Sequence, residues 1–182
     1  SRVQSADAVQ EPSSVKSAPV SDRVKPSIIG LGNVAKPKVQ LVEIRGARLI
    51  GHSRTVEQTR TVQGIKNHLQ WERTPSNGWK SALGFKLNDA FGLRMGVRIS
   101  MLPGEAIVRV YSPERPEMVF QLSGAQILQM IKINLDSGDL SDEGRTWWTP
   151  DIGHAHVVLE IELPPGIDVN NVSFTIPAVS EI

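Results

Sequence analysis

The sequence predicts a mostly β protein: an antiparallel β-sandwich of jelly-roll type with one or two short helices and a disordered N-terminal tail. Three observations carry this prediction. Short apolar runs mostly alternate with polar residues, Gly- and Pro-rich turns separate them, and no strand–helix–strand alternation occurs. The chain has 182 residues, of which 40% are hydrophobic, so it can build a core. Its length suits one domain with a tail, since domains usually contain about 100–200 residues.

Residues 1–37 are predicted to form a flexible leader, and residues 38–182 are predicted to form the β-sandwich domain. The leader is rich in Ser and Pro, and its apolar residues follow neither a strand period nor a helix period. It has too little apolar surface to offset about 1–2 kcal/mol of backbone entropy per ordered residue. Deleting residues 1–36 is therefore expected to leave the melting temperature almost unchanged. Within the leader, Ile28–Leu31 is apolar, and we expect this short piece to dock on the domain.

Seven segments of the domain are predicted strands. In the clearest one, apolar residues alternate with arginines, which is typical of a strand with one buried face. Turn sequences such as Pro75–Gly78 and Asp136–Asp139 lie between the strands. The predicted strands are Val39–Ile44, Trp79–Leu87, Leu93–Ser100, Ala106–Tyr111, Met118–Leu122, His156–Leu163 and Val172–Ile176. The predicted core comprises Trp79, Leu83, Leu93, Val108, Val110, Val158, Ile161, Phe174 and Ile176.

Two helices are predicted. One begins after Ser123, because Ser123–Gln126 fits the Ser-x-x-Gln capping box and apolar residues at helical spacing follow. The other covers Val56–Gln70, where Gly64 lowers the intrinsic helix propensity.

The composition argues against several functional classes for this protein. Twenty Lys and Arg residues against 19 Asp and Glu leave a formal net charge of +1, too little to attract nucleic acid. The absence of cysteine excludes disulfides, thiolate metal sites and a Cys nucleophile. No apolar run approaches the roughly 20 residues of a membrane-spanning helix. We therefore expect no nucleic-acid partner and no membrane span. The first residues, Ser-Arg-Val-Gln, indicate a processed product or an excised piece.

The residues that could carry chemistry predict no catalytic, cofactor or metal site. Ser137 lies in a turn without the Gly-x-Ser-x-Gly elbow of a hydrolase. His154 and His156 would share one side of a strand, a geometry that can bind zinc, but no spaced carboxylate supplies further ligands. The acidic residues between Asn134 and Glu143 depart from the calcium-loop template. We interpret all of these as surface positions.

Adjacent tryptophans offer a candidate contact residue. Because neighbouring side chains of a strand face opposite sides, one of Trp147 and Trp148 should be buried and the other exposed. We expect Trp148 or Trp79 in the core, since a buried indole stabilises mainly through its area. Trp147 is then the candidate contact residue.

Two blocks of sequence carry a resemblance. The first comprises Asn77–Phe85, Ala90–Arg98, Leu102–Ala106 and Val108–Pro113, and the second comprises Trp147–Pro150, Gly153, Val158–Pro164, Val172–Ile176 and Val179–Ile182. In their order and spacing these blocks resemble the N-terminal pro-region of secreted bacterial trypsin-like serine protease precursors, the lysyl-endopeptidase-like group. The resemblance spans about residues 77–182. One departure is that this family often ends the segment in Val-Ser-His, where this chain has Val179-Ser180-Glu181.

The resemblance implies a non-catalytic, secreted or periplasmic pro-region that acts as an intramolecular chaperone and as an inhibitor of a cognate trypsin-like serine protease domain. An extended segment added to the substrate cleft would block the protease. A Lys- or Arg-selecting protease would need a basic side chain there, for which Arg145, Lys80 and the arginines of the leader are candidates. Two alternatives stay open: a carbohydrate- or surface-binding β-sandwich module of a secreted or envelope protein, and a structural domain of an envelope or secretion complex.

Overall fold

A computed structural model describes residues 15–16, 24–33 and 52–182, with the backbone alone for residues 15–16. It confirms the predicted fold class, because two β-sheets and two helices account for most of the described chain. The predicted strand Val39–Ile44, the boundary between residues 37 and 38, and most of the predicted leader lie outside the described residues.

The strands are numbered in chain order. They are β1 (Val15–Lys16), β2 (Ser27–Asn33), β3 (His52–Thr55), β4 (Glu72–Arg73), β5 (Trp79–Asn88), β6 (Leu93–Met101), β7 (Ile107–Tyr111), β8 (Val119–Ser123), β9 (Thr146–Trp148), β10 (His156–Leu163) and β11 (Ser173–Glu181). The α-helices are α1 (Val62–His68) and α2 (Gly124–Asp136). Short 3₁₀ helices cover Glu57–Thr59, Asp142–Arg145 and Val169–Asn171.

The two sheets differ in size. The larger has seven strands in the order β1-β8-β7-β10-β5-β2, with β4 also paired to β5. Its pairs are antiparallel except that β2 runs parallel to β5. The smaller sheet has the order β3-β11-β6-β9 and is antiparallel throughout. Six predicted strands are confirmed as β5, β6, β7, β8, β10 and β11. The last extends beyond Ile176 to Glu181, with a register shift between Thr175 and Ala178.

The core lies between the sheets. Along β10 every second residue from Val157 to Leu163 is at most 3% exposed, as the alternation of a strand requires. The predicted core is confirmed except at one position, Trp79. Trp79, at the start of β5, is only half-buried and packs at the margin, with the Arg73 guanidinium 4.1 Å from its ring centroid. Val158 is buried in a second, smaller cluster with Ala82, Tyr111 and Val119. These four side chains lie on the outer face of the larger sheet, and we call them the outer-face cluster.

Strand β2 lies within the predicted leader. Its Ile29 and Leu31 are 6% and 8% exposed, so the apolar segment docks on the domain as expected. Arg54 of β3 fixes the end of this strand: its Nη2 donates to the carbonyl of Leu31 at 2.7 Å and its Nη1 donates to that of Asn33 at 3.2 Å. The same Nη1 lies 3.1 Å from Oε1 of Glu181 in β11. One guanidinium therefore joins the two sheets.

The helices follow their local sequence signals. The predicted capping box begins α2: Ser123 Oγ accepts from Gln126 N at 3.1 Å, and Ser123 N donates to Gln126 Oε1 at 2.9 Å. The predicted helix over Val56–Gln70 is instead a 3₁₀ turn followed by α1. The interruption has a cause, because buried Thr59 donates its hydroxyl to the carbonyl of Ile176 in β11, and Thr61 then caps a new helix.

Candidate functional site

A polar cleft opens at one end of the sandwich, beside the loop that connects β5 of the larger sheet to β6 of the smaller sheet. Its volume is about 610 Å³. It is lined by residues from β2, from β5 and this loop, from the turn after β7, and from the start of β10 and the residues just before it, namely Asn33, Lys86, Leu87, Asn88, Asp89, Ala90, Phe91, Glu114, Gly153, His154, Ala155 and His156. Four separate segments of the chain therefore meet at this cleft, which makes it a candidate functional site.

The loop between β5 and β6 holds an aromatic side chain in an exposed position. Asp89 adopts a φ of 58° at the turn, a left-handed conformation that Asp tolerates better than most residues. Beyond the turn, the N–H groups of Phe91 and Gly92 donate to the carbonyl of Ile182 at 2.8 and 3.2 Å, and Ile182 N donates back to Gly92 O at 3.0 Å. Phe91 is 79% exposed although its backbone is fixed. It is thus a rigid apolar contact point at the rim of a polar cleft.

The two histidines predicted on one strand both line the cleft, in different environments. His154 Nδ1 lies 3.0 Å from Glu114 Oε2. Burial and the ammonium of Lys86 lower the pKa of His156, while Glu114 acts in the opposite direction. Lys86 is the cross-strand partner of His156, which explains their coupling. No group of three or more His, Cys, Asp or Glu side chains in the described part of the chain could hold a metal ion.

An ion network covers part of the outer face of the larger sheet. Arg109 Nη1 lies 3.0 Å from Glu160 Oε1 and 2.8 Å from Glu162 Oε1, and Arg109 Nε donates to Gln121 Oε1 at 3.0 Å. The candidate contact residue Lys80 belongs to this network, since its Nζ lies 3.7 Å from Glu162 and its side chain is 13% exposed. A partner would have to break this interaction to bind Lys80, and an uncompensated buried charge is costly.

The tryptophan pair is split as predicted, with the members exchanged. Trp147 is 1% exposed and lies in the core, so the contact role predicted for it does not fit its burial. Trp148 is half-buried and lies flat over Gly96, and its Nε1 donates to Glu143 Oε1 at 3.2 Å. Strand alternation separates the two indoles but does not say which one faces the core. Arg145, just before the pair, is exposed at the end of a 3₁₀ helix.

The remaining residues considered for catalysis or metal binding make contacts that stabilise the local chain. Ser137 follows the last residue of α2 and donates its hydroxyl to the carbonyl of Asn134 at 2.8 Å. Asp139 accepts from the backbone N–H of Ser141 at 3.2 Å, and Asp142 lies 3.6 Å from Arg98 of β6. These side chains thus stabilise the loop between α2 and β9.

Fold and surface together define a two-sheet β domain whose candidate functional features are the cleft and the loop with exposed Phe91 beside it. No helix of the described residues is long and apolar enough to cross a membrane. The family model described as the lysyl endopeptidase N-terminal domain matches residues 28–182, and the chain belongs to this family of N-terminal pro-regions of lysyl endopeptidase precursors. The match extends the resemblance beyond residues 77–182. Searches of curated proteins and of solved structures found no match to the chain.

Proposed function

We propose that this chain is the non-catalytic pro-region of a secreted or periplasmic serine protease precursor, and that it acts as folding chaperone and inhibitor of the protease domain. One observation carries the proposal: the family match includes both sheets apart from β1 and the first residue of β2. The family description places such a domain N-terminal to an endopeptidase that acts on lysyl bonds. The proposed partner is therefore a trypsin-like protease domain with a pocket for lysine.

The residues around the cleft support a contact with the protease domain at this place. The loop that carries Phe91 is hydrogen-bonded to Ile182, so its backbone is fixed beside the cleft. Phe91 offers apolar contact, and Lys86 and Glu114 offer charges of both signs. A short tether gives an effective concentration of about 1 mM, so a weak contact keeps most of the precursor inhibited.

The structure of the domain also gives a physical basis for its proposed assistance in the folding of the protease domain. Domains dominated by long-range β pairing fold slowly and expose apolar surface and strand edges while they do so. The described part of this domain has its own continuous core between two sheets. It can therefore present a fixed surface, including the loop at Phe91 that is hydrogen-bonded to Ile182, before its partner is folded.

Both activities are testable with the 182-residue chain and a purified lysyl endopeptidase. We expect hydrolysis of a lysyl p-nitroanilide to fall as the chain is titrated in. We also expect the yield of active enzyme after dilution from denaturant to rise when the folded chain is present. Heat-denatured chain at equal concentration is the control. An unchanged rate together with an unchanged yield, at a large excess of chain, would contradict the proposal.

A further inference from the structure

If the chain inhibits a lysine-specific protease, the side chain of one of its own lysines is expected to bind in the specificity pocket of that protease. Such proteases bind substrate as an extended segment added to the edge of the cleft. A lysine can bind in this way only if its backbone is neither helical nor already paired on both sides. Its ammonium must also be free of intramolecular ion pairs, because breaking these would cost binding energy. This inference rests on the proposed function and names the residue that performs it.

Four of the described lysines fail these requirements. Lys66 lies in α1 and Lys132 lies in α2. Lys80 and Lys86 both lie on β5 and are paired on each side, Lys80 with β10 and β4, and Lys86 with β10 and β2. Arg145, the other basic candidate, lies in a 3₁₀ helix.

Lys25 meets all of the requirements. It is exposed, it lies two residues before β2, and no hydrogen bond or ion pair holds its ammonium within the described part of the chain. Pro26 follows it, and a proline restricts the preceding residue to extended backbone. Side chains of an extended segment alternate in direction. Val24 packs against the outer-face cluster, so Lys25 lies on the opposite side of the segment, where it is exposed to solvent.

The segment is also anchored on both sides of this lysine. Val24 is held by the outer-face cluster, and Ile29 is 6% exposed in the main core. A segment that is already extended and anchored loses little conformational entropy on binding. Beyond it, β2 is paired with β5 along one edge.

We propose that Lys25 occupies the lysine pocket of the protease, with Val24–Ser27 lying along its substrate cleft. Lys25 lies just outside the family match, which begins at residue 28. It takes the place of Lys80 and Arg145 as the basic contact residue.

The test compares the inhibition constants of three versions of the full chain, the wild type, Lys25→Ala and Lys66→Ala, against a lysyl endopeptidase with a lysyl p-nitroanilide. Lys66 is the matched control, since it is exposed on α1. We expect Lys25→Ala to weaken inhibition at least about tenfold, as loss of a central anchor does, and Lys66→Ala to change it less than about twofold. Wild-type inhibition should raise the apparent KM of the substrate and leave kcat unchanged.

The outcomes separate the two proposals. If the wild type inhibits and Lys25→Ala inhibits equally, the role of Lys25 is overturned and the proposed function stands. If the wild type does not inhibit, the proposed function is overturned and the role of Lys25 falls with it. Equal melting temperatures of the three versions confirm that only the contact was changed.

Discussion

Replacement of Arg54 by Ala tests the junction between the two sheets. The Glu181 carboxylate that it faces is 1% exposed, and the same guanidinium binds two carbonyls of β2. Removing one partner of a buried ion pair costs about 3–5 kcal/mol. The Arg54 side chain is 30% exposed and Glu181 has a further interaction, so solvent and that contact reduce the loss to about 2–3 kcal/mol. For a domain of this size the melting temperature then falls by about 4–12 °C.

Urea unfolding followed by tryptophan fluorescence measures this change. Arg60→Ala is the matched control, because Arg60 is 57% exposed and its ion pair with Glu57 lies on the surface, so its removal costs at most about 0.5 kcal/mol. Glu181→Gln combined with Arg54→Ala should cost less than the sum of the two single changes, because the pair is removed together. A free energy of unfolding for Arg54→Ala within about 0.5 kcal/mol of wild type would refute the reasoning.

Three further changes have defined outcomes. Trp147→Ala should destabilise the domain by about 3–5 kcal/mol in urea unfolding, and Trp148→Ala by less, since only Trp147 is fully buried; equal losses would contradict this. Deleting residues 1–33 should lower the melting temperature markedly, contrary to the expectation from sequence, because it removes buried Ile29 and Leu31. An unchanged melting temperature would show that β2 is dispensable for stability. The pKa of His156 is lowered from 6.5, so the unfolded chain binds a proton at higher pH than the folded chain. Its contribution to stability is then lost as pH falls below 6.5, and His156→Gln should flatten that part of the stability–pH profile.

Local sequence signals predicted the parts of the fold in which one face of an element is buried. The alternation in β6 and the capping box at Ser123 each specify an element by themselves. Strand β3 carries no apolar residue, and β9 has only three residues. Both are strands because a neighbour pairs with them. Such pairing is a tertiary effect that periodicity does not show.

The candidate site was less predictable from the sequence, because tertiary contacts bring its residues together and local patterns do not show such contacts. Lys86, Glu114 and His154 come from separate segments, and strand register and the turn after β7 bring them to one cleft. Phe91 is exposed on a loop whose backbone bonds to Ile182 no local sequence pattern indicates. Lys25 was visible as a lysine before a proline in the leader. Its selection required knowing that its neighbour Val24 is anchored and that four other lysines, Lys66, Lys80, Lys86 and Lys132, are helical or paired on both sides.

The central claim is that this domain binds the protease domain of a lysyl endopeptidase. The most direct test is titration calorimetry of the 182-residue chain with a lysyl endopeptidase whose catalytic serine is replaced by alanine, so that the chain is not digested. The account predicts a one-to-one complex that a small lysyl substrate competes away. Absence of binding heat at several temperatures, together with separate elution of the two proteins in size-exclusion chromatography, would contradict it.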